Sequence, residues 1–460
     1  MNAPQDQPST QSIQPAPKPH RRWRWYHNLC ALLALLLLAF LAWHLCLNLA
    51  IQAEHAAIRA QGLPVTSTEL DAYYTRIPSD QNAALIWIDA SASLRDLPDP
   101  DRHNLIPYIG IDSVPPQDPW HPFTPEQTEL LREYVELNEP SFTLASQAAQ
   151  LPKARFPADL SLGIDSMLTH LAPHRALARA LWARSAHATN NHLPESATES
   201  ITLLLDLSVS LRNEPNLISQ LVMIAEHRLA VQALERTLNH LLLTDHQLTS
   251  LQSSFQKADS GNPIHTALIG ERTLFRSARA YFLQEMDTME RAVAHLYRAI
   301  GIQQLNEITY HKLMQQSIDA QSFPHAERQK FAEQIDTQAV ELHRYGAVIG
   351  SQILSMANAQ TSENNARAQL RTALTALAIE RYRLANNQLP ETLEQLVPDF
   401  LESIPLDPFT GTPLLYTKTA ENHYIVYSVG EDLTDNNGAR RNPAGDMFEP
   451  GSDIVFQVRR

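Results

Sequence analysis

The sequence predicts a mainly α-helical protein: a single transmembrane helix, an antiparallel helical-hairpin or bundle domain, and a small α+β module at the C-terminal end. Three observations carry that expectation. Residues 29–51 are an uncharged run dominated by Leu and Ala. From about 165 to 385 apolar residues recur at helical spacing, with only five glycines in the stretch. After residue 400 the composition shifts, and five of the 13 glycines fall between 411 and 460.

Residues 1–22 are rich in Pro, Gln and Ser and nearly devoid of apolar side chains. Such a stretch cannot bury enough surface to offset its ordering entropy, so 1–28 read as a disordered tail. As a helix, Leu29–Ile51 is about 34 Å long, enough to cross a bilayer with some tilt. Trp23, Trp25 and Tyr26 form an aromatic belt at its start. Lys18, Arg21, Arg22 and Arg24 precede it, whereas Glu54 and a lone Arg59 follow. This basic excess predicts a signal-anchor in the inner (cytoplasmic) membrane, with the N-terminus in the cytoplasm and residues 55–460 extracytoplasmic. The uncharged run is too long for the core of a cleaved signal peptide with its cut near Ala53.

The formal net charge is −14, and the acidic residues are dispersed. Nucleic-acid binding needs a basic stripe to neutralise phosphates, so that partner class is not expected. The only cysteines, Cys30 and Cys46, fall inside the apolar run. Sixteen positions apart on one helix, they sit about 24 Å from each other and cannot bridge. Everything beyond them lacks thiols, which removes disulfide frameworks and thiolate metal sites from the main body.

Residues 55–358 read as one extracytoplasmic helical domain. Thr66, Ser67 and Thr68 offer a cap for a helix over Ser67–Tyr74, and a second helix is expected from Asp80. "LPDPDRHNLIPYIGIDSVPPQDPWHPFTP" holds eight prolines and reads as an extended surface loop, whose last residue, Pro125, suits the first position of a helix. Leu168, Leu171, Leu177 and Leu181 share one face before "TNNHLPES" breaks the chain and Pro194 restarts it. Leu203, Leu207 and Leu211 continue, Asn213-Glu214-Pro215 turns, and the apolar stripes around Leu217, Leu221 and Ile224 predict a helix buried on most sides. Short turns make sequential helices antiparallel neighbours. The marker positions of tetratricopeptide repeats do not line up at a fixed period, so a repeat array and a closed bundle both stay open.

Motifs for chemistry are sparse. His170 and His174 stand at i and i+4, but no Glu lies between them as His-Glu-x-x-His requires, and Pro173 intervenes. They read as polar positions near a helix start. Glu226 and His227 are adjacent and point about 100° apart on a helix, so they form no dyad. No Gly-x-Ser-x-Gly elbow, Walker loop or dinucleotide fingerprint occurs.

Residues 359–460 read as an α+β unit: a long helix near 359–386, a short one near 391–397, and a hairpin turning at Glu421-Asn422. "DIVFQV" adds a last strand. The blocks "ERYRLANNQLPETLEQL", "IPLDPFTGTPLLY", "YSVGEDLTDNNG" and "SDIVF" together resemble the C-terminal domain of the major pseudopilin, the G protein of type II secretion systems. Tyr382, Asn386, Pro390, Leu393, Leu396, Pro405, Asp407, Pro408, Pro413 and Tyr416 match its first two blocks. Ser428, Gly430, Asp432, Asp453 and Ile454 match its last. The resemblance implies a calcium ion held by Asp432 and Asp453. An oxygen-rich loop fits hard-cation chemistry independently, and an unliganded Asx-rich turn is the alternative.

Two departures stand out. The family's Asp-Gly is Asp432-Leu433 here, followed by the insert "ARRNPAGDMFEPG". The family's processing site before the apolar helix has no counterpart, which argues against a filament subunit. The expected role is therefore structural or protein-binding, at the membrane and toward another envelope protein. An extracytoplasmic hydrolase with its site in the helical domain is the alternative.

Overall fold

The computed structural model describes residues 22–110, 118–343, 349–420, 422–440 and 452–460. The tail expected to be disordered lies outside the described residues as far as residue 21, and so does Asp446, an acidic residue between Asp432 and Asp453. The chain is mainly helical, with a small three-stranded sheet.

Helix α1 (Arg22–Ala60) is 39 residues long and extends well past both ends of the expected 29–51. The flanks contain good helix formers and no Pro or Gly until Gly62, so nothing stops propagation. It ends in a Schellman motif: Gly62, at φ +75°, donates to Arg59 O, and Leu63 donates to Ile58 O. This one helix is long and apolar enough to cross a membrane. Its large apolar side chains from Leu29 to Leu45 are exposed, Leu38 by 66%. From there a stripe of Leu47, Ile51, His55 and Ile58, spaced four, four and three, turns inward and is buried. The same helix therefore supplies an apolar rod and a foot.

Helix α2 (Ser67–Tyr73) starts where expected, with Thr66 Oγ1 accepting the Glu69 N–H. The helix expected from Asp80 is a 3-10 turn, Ser79–Gln81, followed by α3 (Ala83–Ala92) capped by Asn82. The Pro-rich stretch is not wholly extended. Asp99 accepts the N–H groups of Asp101 and Arg102 and so starts a short helix, α4 (Pro100–Asn104). Residues 111–117 of that stretch lie outside the described residues. α5 (Pro125–Leu137) opens with Pro125 at its first position behind a Thr124/Gln127 capping box, and α6 (Glu139–Ala148) follows.

The centre is built from α7 (Leu171–Asn190), α8 (Pro194–Val209), α9 (Leu217–His240) and α10 (Asp245–Asp259). As its stripes predict, α9 is buried on several faces, against α7, α8, α15 (Ile349–Asn386) and the sheet. Between α10 and α15 run α11 (Pro263–Glu285), α12 (Thr288–Ala299), α13 (Ile302–Asp319) and α14 (His325–His343). The foot of α1 packs on α13. Trp43 Nε1 donates to Ile300 O at 3.2 Å, and His44 Nε2 lies 2.8 Å from Ala299 O.

The expected hairpin and last strand form an antiparallel meander of β1 (Leu415–Ala420), β2 (His423–Ser428) and β3 (Ile454–Arg459). The boundary expected at 358/359 falls inside α15, a single 38-residue helix. One apolar core runs from Trp87 through Leu181, Leu204, Leu234 and Leu377 to Val426 and Val458. Ala373, Ala376 and Ala378 are wholly buried on α15, and their small side chains allow close approach of α9, α10 and the sheet. The free edge of β3 is closed by α9. Glu235 accepts the Gln457 N–H at 2.8 Å, while Asn239 accepts from Arg459 N and donates to Gln457 O, both at 2.8 Å. Arg440 adds a two-pronged pair to Glu235, with both contacts at 2.7 Å.

Candidate functional site

The polar positions at the start of α7 come together with groups far away in sequence. His174 Nδ1 lies 2.8 Å from Glu226 Oε1, and its Nε2 lies 3.2 Å from Ser210 Oγ. His170 Nε2 lies 3.0 Å from Glu214 Oε2. Phe156 stacks on the His170 ring at 4.5 Å and meets His174 edge-on at 5.4 Å. Both histidines and both glutamates are buried. Their positions follow from the bundle: α7 supplies His174 and His170 stands just before it, α9 supplies Glu226, and the turn between α8 and α9 supplies Glu214.

Burial pushes the Glu226 carboxyl up, and the His174 contact works against that shift. Glu226 does not pair with its neighbour His227, as the helical geometry predicts. Hydroxyl, imidazole and carboxylate here stand in the order of a nucleophile, a base and a group that orients the base. The Ser210 hydroxyl, however, donates to Leu207 O at 2.6 Å, which closes the C-terminal turn of α8. Its lone pairs rather than its proton therefore face the imidazole.

A second polar region is an open cleft of about 520 Å³ between α6, α8 and α10. Its carboxylates are already engaged. Arg184 reaches Glu199 at 3.0 Å, Lys257 reaches Asp206 at 2.6 Å, and Gln247 donates to Glu195 at 3.4 Å.

The loop implied to hold calcium lies at the end of β2. Asp453 is buried, and its two oxygens accept the N–H groups of Asn436 at 3.3 Å and Gly438 at 2.7 Å. Asp432 is exposed and accepts the Thr434 N–H at 3.0 Å. Asp435 accepts from Tyr427 Oη at 3.2 Å and Asn437 N at 2.8 Å. Burial raises the Asp453 carboxyl, and the negative fields of Asp435 and Asp432 raise it further. The donors are all hard oxygens, the ligand type calcium takes, but Asp432, Asp435 and Asp453 do not bring one ligand atom each within 4.8 Å of one another. Asp453 also ties the loop to β3 through hydrogen bonds alone.

No protein-family model, curated protein or solved structure matches this chain. Its function is therefore read from its own geometry.

What sequence reasoning missed is the burial of the two histidines. The only local signal was their spacing of four. Glu214 and Glu226, 44 and 52 positions away from their partners, carry none.

Proposed function

We propose that this chain is a membrane-anchored cell-envelope protein with a structural or protein-interaction role, carrying a pseudopilin-like tail that takes calcium through Asp432 and Asp453. The observation that carries the reading is the two-part character of α1: an exposed apolar rod continuous with a foot buried in the domain. Such a connection holds the domain against the bilayer at a set height instead of letting it swing on a tether.

The neighbouring α12 supports the same placement. Met289, Val293, Leu296 and Ile300, spaced four, three and four, are all exposed on one face. The end of α12 is held to Trp43 and His44, where the exposed band of α1 gives way to its buried foot. An amphipathic helix at that level suits the headgroup region, with Arg291 and Arg298 available to lipid phosphates. The tail is compatible with its own part of the reading: a long helix, a short 3-10 turn at Leu393–Leu396 and a three-stranded meander follow in the order read from the residue pattern.

The second reading is a hydrolase in the helical domain, in which the Ser210 hydroxyl turns from Leu207 O to His174 and completes the order Ser210–His174–Glu226. One experiment pair separates the two. Reporter fusions at the C-terminus test the topology, and a reporter active only in the cytoplasm removes any extracytoplasmic role. A serine-reactive fluorophosphonate then tests the triad. The structural reading expects no labelling of Ser210. Labelling that is lost in both Ser210→Ala and His174→Gln replaces it with the hydrolase.

A further inference from the structure

The foot of α1 carries a third cluster, distinct from those above. His55 lies on the buried stripe between Ile51 and Ile58. Glu307 and His311, one helical turn apart on α13, share the face that meets it. His55 Nε2 lies 4.0 Å from Glu307 Oε1, and the two imidazole rings meet edge-on with centroids 5.3 Å apart. One ligand atom from each of the three residues lies within 4.8 Å of the other two. The residues are 8, 3 and 3% exposed, so the cluster sits in the seam rather than on the surface. Among the described residues it is the one such gathering of ligand-type groups.

We propose that His55, Glu307 and His311 form a metal site for a borderline divalent cation of the zinc class. Two imidazole nitrogens and one carboxylate oxygen suit zinc, cobalt or nickel, whereas calcium and magnesium require oxygen donors. Zinc takes such ligands at about 2.0–2.2 Å, which sets tetrahedral ligand atoms roughly 3.4 Å apart. The three groups reach that spacing by drawing in about 1 Å through side-chain rotation, with the helices in place.

The fourth coordination position is left to water. Two ligands come from α13 and one from α1, so the ion cross-links the membrane helix to the domain. Glu54 and Lys312, the residues next to His55 and His311 in sequence, form a more exposed pair beside it at 3.9 Å. The inference does not depend on which way the chain faces across the membrane, because the site is built within one chain.

The test uses the full chain, without a histidine tag, in detergent. Metal content is measured as isolated by mass spectrometry. The chelator-treated protein is then titrated with Co²⁺ and followed by visible absorption. The expected result is one ion per chain, with the strong visible bands of four-coordinate Co²⁺ and no thiolate charge-transfer band. Glu307→Gln and His311→Asn should each weaken Co²⁺ binding by at least tenfold.

His55→Gln alters only the α1 side of the seam and should act alike. It serves as the second variant should either α13 change unfold the chain, with circular dichroism as the check. The proposal is overturned if the wild-type chain binds no stoichiometric Co²⁺, or if the three variants bind it as tightly as wild type. A thiolate band assigning the ion to Cys30 or Cys46 overturns it as well.

Discussion

His227 should make the stability of this protein fall in mild acid. It lies on α9, is 4% exposed, and its Nε2 has no hydrogen-bond partner among the described residues. Burial, followed by the positive fields of Arg212 and Arg367, holds its pKa down to about 3. Arg367 is itself kept in place by Glu363 at 2.8 Å and Asp259 at 3.0 Å, so the cationic field is part of the fold. In the unfolded chain the same imidazole titrates near 6.5. Below that pH the unfolded state takes up a proton that the folded state refuses until about pH 3, and the native state loses stability over the interval.

From pH 6.5 down to 5 the loss accumulates at ~1.36 kcal/mol per pH unit, about 2 kcal/mol from this residue alone. Other groups titrate too. His325, held down to about 2, acts in the same direction, while the raised carboxyls of Glu226 and Glu271 act in the opposite one. The measurement is therefore a difference. Urea unfolding of the detergent-solubilised chain, followed by near-ultraviolet circular dichroism at pH 7 and pH 5, is compared between wild type and His227→Gln. The wild type should lose about 2 kcal/mol more than the variant between the two pH values. His227→Leu, which cannot titrate either, should repeat the result. If all three chains lose the same stability to within about 0.5 kcal/mol, His227 takes its proton in the folded state and the reasoning fails.

Glu235→Gln leaves Arg440 and the Gln457 N–H with a poorer partner and should cost about 3 kcal/mol. Because the sheet shares the core of the helical domain, this variant should still melt in one transition, and a separate early transition of the tail would contradict the shared core. A Cβ on Gly270 would stand 1.8 Å from Pro215 O, whereas one on Gly62 meets nothing within 4 Å. Gly270→Ala should therefore lower the melting temperature clearly more than Gly62→Ala, whose cost is the left-handed backbone alone, about 1 kcal/mol. Millimolar calcium in place of chelator should stabilise the full chain by about 1 kcal/mol, a rise of roughly 2 °C or less. Asp432→Ala and Asp453→Ala should abolish that rise, and equal rises in all three chains would reduce the loop to an unliganded turn.

The sequence by itself determined the elements whose causes are local. The uncharged run of α1, the Thr66 cap, the Pro125 and Pro194 starts and the hairpin of β1 and β2 each arise from residues within a few positions of one another, where propensity, capping and periodicity act. Only the tertiary structure decided how far α1 runs into the domain and that α15 crosses the expected 358/359 boundary. It alone showed that Glu235 and Asn239 close the edge of a strand some 220 positions away. The buried clusters belong to the same class: His174 with Glu226 and Ser210, and His55 with Glu307 and His311. Each joins groups on different helices, and a contact between helices depends on which faces the packed core brings together. That selection follows from burying apolar surface over the whole chain at once, so a window of sequence around either partner holds no trace of it.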